Sequence, residues 1–131
     1  VEAGIMRLAS QKYDEKDGRA LEALLDQMKE IIRSGSNEVD RFFEVDNQFH
    51  DLISQMGKNP LADKISRVVR TLTHAVRYDT VTTMINSGRG DELVAAHSQL
   101  LEMLKGDRAN DVEAIVRTTY FEDAIHGTEA K

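Results

Sequence analysis

The chain has 131 residues, enough for one domain with its own core. Hydrophobic residues make up 40% and charged residues 31%, an ordinary soluble composition, and the formal net charge of −6 disfavours direct binding to a phosphate backbone. The absence of cysteine excludes disulfides, thiol catalysis and cysteine zinc sites, and it agrees with a reducing, cytoplasmic setting.

Eight Gly, one Pro and 5% aromatics, with no strand alternation, predict an all-α chain. The first helical pattern covers Val1 to Tyr13, with Ile5, Leu8 and Ala9 apolar. A chain that begins at Val1 already inside a helix reads as a piece whose N-terminal part is missing. After the break at Asp14 to Gly18, Asp17 is expected to cap a second helix running to about Ser34. Leu21, Leu24, Leu25, Met28, Ile31 and Ile32 form its inward face. Ser34-Gly35-Ser36-Asn37 is a stop followed by a new cap, and the third helix ends at Gly57-Lys58.

Asn59-Pro60 is a start signal, with Asn as cap and Pro in the first helical position. The fourth helix is expected to run from Pro60 to at least Tyr78, with Leu61, Ile65, Val68, Val69, Leu72 and Val76 inward. A short segment, Val81 to Ile85, follows. Asp91 is expected to cap a helix from Glu92 to Lys105, with Leu93, Val94, Leu100, Leu101 and Leu104 apolar. A last helix covers roughly Val112 to Ile125. The sum is an antiparallel bundle of about six or seven helices over residues 1–131. No run of roughly 18 apolar residues and no signal peptide is visible, so no membrane contact is expected. The five methionines are spread out and read as core filler.

The chemistry lies in the third helix. Asp46 and His50 stand four residues apart, one turn along the same face, among Val39, Phe42, Phe43, Val45, Phe49, Leu52, Ile53 and Met56. A carboxylate and an imidazole on one inward face are half of a divalent-metal site. The plainer reading is a solvated ion pair. His97, between Val94 and Leu100, adds a third group; alone it reads as a hydrogen-bonded core histidine. With Asp46 and His50 it completes the three protein ligands that an open metal site needs. The fourth ligand is expected from the last helix, where Glu122 and His126 lie one turn apart.

Asp46-x-x-Phe49-His50, then Asn59-Pro60-Leu61, then the helix with His97, then Asp-x-Glu-Ala from Asp111 to Ala114, resembles the ligand-binding domain of FadR-subfamily GntR transcription regulators. The likeness runs from about Ala3 to Ile125. It implies an all-α domain that dimerises and holds a metal through one Asp and three His. It implies that the metal helps bind a small carboxylate effector, and that a winged helix-turn-helix, absent from this chain, contacts DNA. Asp46, His50 and His97 match the first three ligands. The family's third His falls at or near Glu122, with His126 as the alternative, and Ala95-Ala96 replaces a Glu usual before the His.

Arg70 and Arg77, seven apart on the fourth helix, are expected to receive an effector carboxylate, since a guanidinium fork matches one. Ser66 and Thr73 share that flank and offer hydroxyls to a hydroxy acid. The plainer reading makes the arginines surface residues paired with acids. The resulting expectation is a non-enzymatic sensor holding a divalent metal, zinc first, with nickel or manganese as alternatives. Its effector is a hydroxy acid, sugar acid or dicarboxylate. The rivals are a metal-independent helical dimerisation module and a metal-dependent enzyme acting on small acids; no additional nucleophile, general base or phosphate loop supports the enzyme.

Overall fold

The structure, a computed structural model, describes residues 2–35 and 38–106. Six α-helices follow one another within these residues: α1 (Glu2–Lys12), α2 (Glu15–Arg33), α3 (Val39–Met56), α4 (Pro60–Leu72), α5 (His74–Asn86) and α6 (Gly90–Lys105). They form the expected antiparallel all-α bundle. The expected last helix, with Glu122 and His126, lies outside the described residues.

Pairings along the chain fix the directions. Ser54 reaches Asp63, Asp51 reaches Arg70, and Asn47 reaches Arg77, so α3 runs antiparallel to α4 and α5. Lys105 meets Glu22, and Gly90 lies against Ile32, so α6 runs antiparallel to α2. A Cβ on Gly90 would stand 2.5 Å from Ile32 Cδ1, which explains glycine at that crossing. The central helix is α3, which packs on α1, α2, α4 and α5. Phe42, Phe49 and Ile53 from α3 share one buried core with Leu21 and Met28 from α2 and Leu93 and Leu100 from α6. Each such side chain contributes about 1.5–3 kcal/mol by leaving water.

Local chemistry sets the helix ends. Asn59 caps α4 as expected: its side chain accepts from Ala62 N at 3.0 Å, with Pro60 in the first position. The start of α2 needs a correction. Asp14, in extended backbone, is the cap and accepts from Asp17 N at 2.8 Å, while Asp17 sits in the first turn. Likewise α6 begins at Gly90 after Arg89, and Asp91 is a first-turn residue rather than the cap.

The fourth helix differs most from expectation. It breaks at Thr73, and α5 then runs unbroken through Val81 to Ile85. The Thr71 and Thr73 hydroxyls donate back to the carbonyls of Arg67 and Val69, a bonding that loosens and bends helices. The Arg70 carbonyl accepts from Arg77 Nη2 at 2.9 Å across this break. The expected inward row is also reversed. Leu61, Ile65, Val68, Leu72 and Val76 are exposed, and only Val69 is half-buried. The buried side carries Ser66 and Arg70 instead, because α3 presents Asp51 and Ser54 to it. Among the described residues, no helix is long and apolar enough to cross a membrane.

Candidate metal centre

Helical spacing on α3 puts Phe42, Asp46, Phe49, His50 and Ile53 on one inward face, and all are buried. On α6, Leu93, His97, Leu100, Leu101 and Leu104 form the corresponding face. The bundle brings the two faces together. Asp46, His50 and His97 each offer one ligand atom, and these atoms lie within 4.8 Å of one another. Phe42 and Phe49 stand edge-on to the His97 ring at 6.3 and 5.2 Å between centroids, which makes the surroundings apolar.

His97 carries the most information. Its Nδ1 lies 2.7 Å from the Leu93 carbonyl oxygen, and its Nε2 lies 2.5 Å from Asp46 Oδ1. A carbonyl oxygen only accepts, so Nδ1 carries the proton in that bond. In a neutral ring, Nε2 is then a lone pair aimed at a carboxylate oxygen. Two lone pairs at that range need a proton between them, shared by ring and carboxyl, and a metal held by both atoms would set them farther apart. A ring nitrogen fixed by a backbone carbonyl, with the other turned to the site, is the usual state of a metal-binding histidine.

His50 Nε2 lies 3.3 Å from the same Asp46 oxygen. Ligand atoms held at about 2.0–2.1 Å by one tetrahedral zinc stand roughly 3.3 Å apart. The Asp46–His50 spacing fits that donor set, and the Asp46–His97 contact is tighter and suits a shared proton. Burial alone pushes the Asp46 carboxyl up. The charge of His50, with hydrogen bonds from His50 and His97, outweighs burial and holds Asp46 well below the ordinary carboxylate range. An anionic Asp46 is what a metal ligand must be.

The residues expected to receive an effector divide into two groups. Arg77 joins the centre: its Nη1 is 3.6 Å from Asp46 Oδ2 and donates to Asn47 Oδ1 at 3.0 Å. Its Nε donates to Thr73 Oγ1 at 3.3 Å, and its guanidinium lies 5.1 Å from the Phe43 ring centre. Arg70 is held one turn further along by Asp51 and by Ser66 Oγ at 3.3 Å. Both arginines are buried, so they are not surface residues. Glu122 and His126 lie outside the described residues.

Sequence reasoning missed Asn47, Asp51 and the Leu93 carbonyl. Asn47 and Asp51 carry a weak signal, since they share a helix face four residues apart. Pairing them with Arg77 and Arg70 requires the antiparallel register. The Leu93 carbonyl has no side-chain signal, though a helical His commonly finds the carbonyl four residues back.

A profile of the FCD domain family matches residues 1–120. Comparison with curated proteins returns no match, and comparison with solved structures returns none. The match covers Asp46, His50 and His97 and nearly the whole chain, and it agrees with the all-helical fold: the chain belongs to the FCD domain family.

Proposed function

We propose that this chain is the effector-sensing domain of a FadR-subfamily GntR transcription regulator, a homodimer that works in the cytoplasm. In this reading Asp46, His50 and His97 hold a divalent metal, zinc ahead of nickel and manganese, with Glu122 or His126 as a further ligand. The observation that carries it is the buried cluster itself: Asp46, His50 and His97 each offer one ligand atom, all within 4.8 Å of one another, with His97 Nδ1 already committed to the Leu93 carbonyl. A divalent ion there supplies positions that a carboxylate oxygen can fill.

The chain's own residues supply the rest of the recognition. Arg77 is the nearest fixed positive charge and offers its fork to a small organic acid, a hydroxy acid, sugar acid or dicarboxylate. Thr73 lies against Arg77 and offers a hydroxyl; Arg70 and Ser66 extend the polar strip along α4. An acid that recruits Arg77 competes with the Arg70 carbonyl, which Arg77 bonds across the Thr73 break. The angle between α4 and α5 is thereby coupled to ligand. A coupling of about 1–3 kcal/mol is the usual size for such a switch. DNA is contacted through a winged helix-turn-helix outside this chain, and no catalysis is proposed.

A metal-independent pocket is the second reading. The direct 2.5 Å contact of His97 with Asp46, and Arg77 beside the same carboxylate, favour it because protonated His and Arg can balance Asp46 without an ion. Calorimetric titration of small acids into metal-loaded and chelator-treated protein separates the two. Acid binding that needs metal supports the first reading. Equal binding in both states supports the second, and no binding of any acid in either state overturns the sensor proposal.

A further inference from the structure

The helix α3 holds the two buried arginines in the same way but with partners of different charge. Arg70 and Arg77 stand on either side of the Thr73 break, and each side chain is 10% exposed. Asn47 and Asp51, both half-buried, lie one turn apart on one face of α3 and meet Arg77 and Arg70 respectively.

Around Arg70 the charges balance. Arg67 and Arg70 face Asp51 and Asp63. Arg67 Nε donates to Asp63 Oδ2 at 3.3 Å, Arg67 Nη1 lies 4.0 Å from Asp51 Oδ1, and Arg70 Nη2 donates to that same Asp51 oxygen. Around Arg77 they do not balance. Its hydrogen bonds go to neutral acceptors: Asn47 Oδ1 at 3.0 Å, Thr73 Oγ1 at 3.3 Å and the Arg70 carbonyl at 2.9 Å. Asp46 Oδ2 lies 3.6 Å away, but the other oxygen of that carboxylate already serves His50 and His97. Neutral acceptors satisfy the donors of a guanidinium without cancelling its charge, and a buried charge without its own counter-ion is costly. An arriving carboxylate removes that cost at Arg77 and removes little at Arg70.

We infer that Asn47 determines the anion selectivity of this site: as a neutral partner it fixes the Arg77 fork and leaves its charge to a ligand carboxylate. The inference rests on the sensor reading and adds the residue that decides which arginine meets the acid. It does not depend on the metal, because a metal or a proton in the cluster equally answers the charge of Asp46. Asparagine and aspartate are nearly the same size, so the exchange changes charge and leaves packing alone. An aspartate at this position would repeat the Asp51–Arg70 pair one turn along α3 and close Arg77 to ligand.

The test is made on the full 131-residue chain, comparing the parent with Asn47→Asp, Asn47→Ala and Asp51→Asn. Urea unfolding without added acid reads the charge at Arg77. Asn47→Asp should be more stable than Asn47→Ala, because it gives Arg77 a counter-ion. If Asn47→Asp is the less stable of the two, Arg77 is already neutralised and the inference falls. Calorimetric titration of malate, gluconate and succinate then reads the function. Asn47→Asp should bind the acid the parent prefers roughly tenfold more weakly or worse, and Asn47→Ala, which keeps the charge of Arg77 open, should lose less. Equal losses in the two variants would make Asn47 a structural prop and overturn the inference. So would an Asn47→Asp affinity within about threefold of the parent. If Asn47→Asp does not fold, Asp51→Asn decides: it gives Arg70 the neutral partner that Arg77 has, and it should bind the acid more tightly than the parent. Unchanged or weaker binding there overturns the inference. A parent chain that binds none of the three acids, with or without metal, overturns the sensor reading and this inference together, whereas the other failures leave the sensor reading standing.

Discussion

His97 Nε2 lies 2.5 Å from Asp46 Oδ1, joining α6 to α3 across 51 residues of sequence inside the apolar core. The contact is built from both ends. Asp46 is held on the inward face of α3 by its helical register, and His97 is aimed by the bond from its Nδ1 to the Leu93 carbonyl. Whether a proton keeps the two in direct contact or a metal draws them apart decides between the two readings of the site.

Removing either histidine tests the donor set. His50→Ala and His97→Ala are expected to lose metal. If metal at 100 times its dissociation constant stabilises the parent by about 2.7 kcal/mol, both variants lose that increment. Melting curves with and without zinc check this: the zinc-dependent rise should vanish in both variants. A rise that persists in either removes that residue from the donor set.

Asp46 also sets an acid limit. Its folded-state pKa is depressed below the ordinary 3.8, so at low pH the unfolded chain takes up the proton first. The stability that Asp46 lends is therefore intact above about pH 3.8 and is lost as the pH falls further toward the folded value. Urea unfolding of the chelator-treated chain between pH 6 and 3 should show this acid limb. Asp46→Asn should be less stable at pH 6 and should show a shallower fall. An identical fall in parent and variant would remove Asp46 from this role.

Arg77 and Arg70 are expected to separate in their effects. Arg77→Met removes the charge beside Asp46 and the bond to the Arg70 carbonyl, and should weaken acid binding by about 1.5–3 kcal/mol, roughly 10- to 150-fold. Arg70→Met breaks the contact with Asp51 one turn away and should mainly lower stability. Calorimetry on both variants checks this, and equal losses of affinity would contradict the division.

Gly90→Ala tests the crossing of α2 and α6. The new Cβ would stand 2.5 Å from Ile32 Cδ1 and 3.2 Å from Ile32 Cγ1 and Cγ2. Overpacking of this kind costs about 1–3 kcal/mol. Chemical denaturation should show that loss, and Gly90→Ala with Ile32→Val should recover part of it. A neutral Gly90→Ala would mean the two helices separate easily there.

Much of this architecture was legible in residue spacing. The inward faces of α2, α3 and α6 follow the helical period, and Asn59-Pro60 marks its helix start. The same rule misplaces α4, because periodicity shows that a helix has an apolar face but not what that face meets. Ser66 and Arg70 face inward because Asp51 and Ser54 on α3 supply polar partners, a relation visible only across the antiparallel pair. The break at Thr73 has no Gly or Pro to announce it; it accompanies hydroxyl bonds to backbone carbonyls. At the site, Asp46, His50 and His97 were legible as residue types on inward faces. Their convergence on one Asp46 oxygen required the fold.

Metal content decides whether Asp46, His50 and His97 hold an ion. The purified chain is analysed for elements and weighed intact by native mass spectrometry, before and after exposure to zinc, nickel and manganese. Close to one divalent ion per chain is expected, and it should be lost in His97→Ala. A parent chain that takes up none of the three, while remaining folded, would contradict the metal reading and leave Asp46, His50 and His97 as a proton-bridged core cluster.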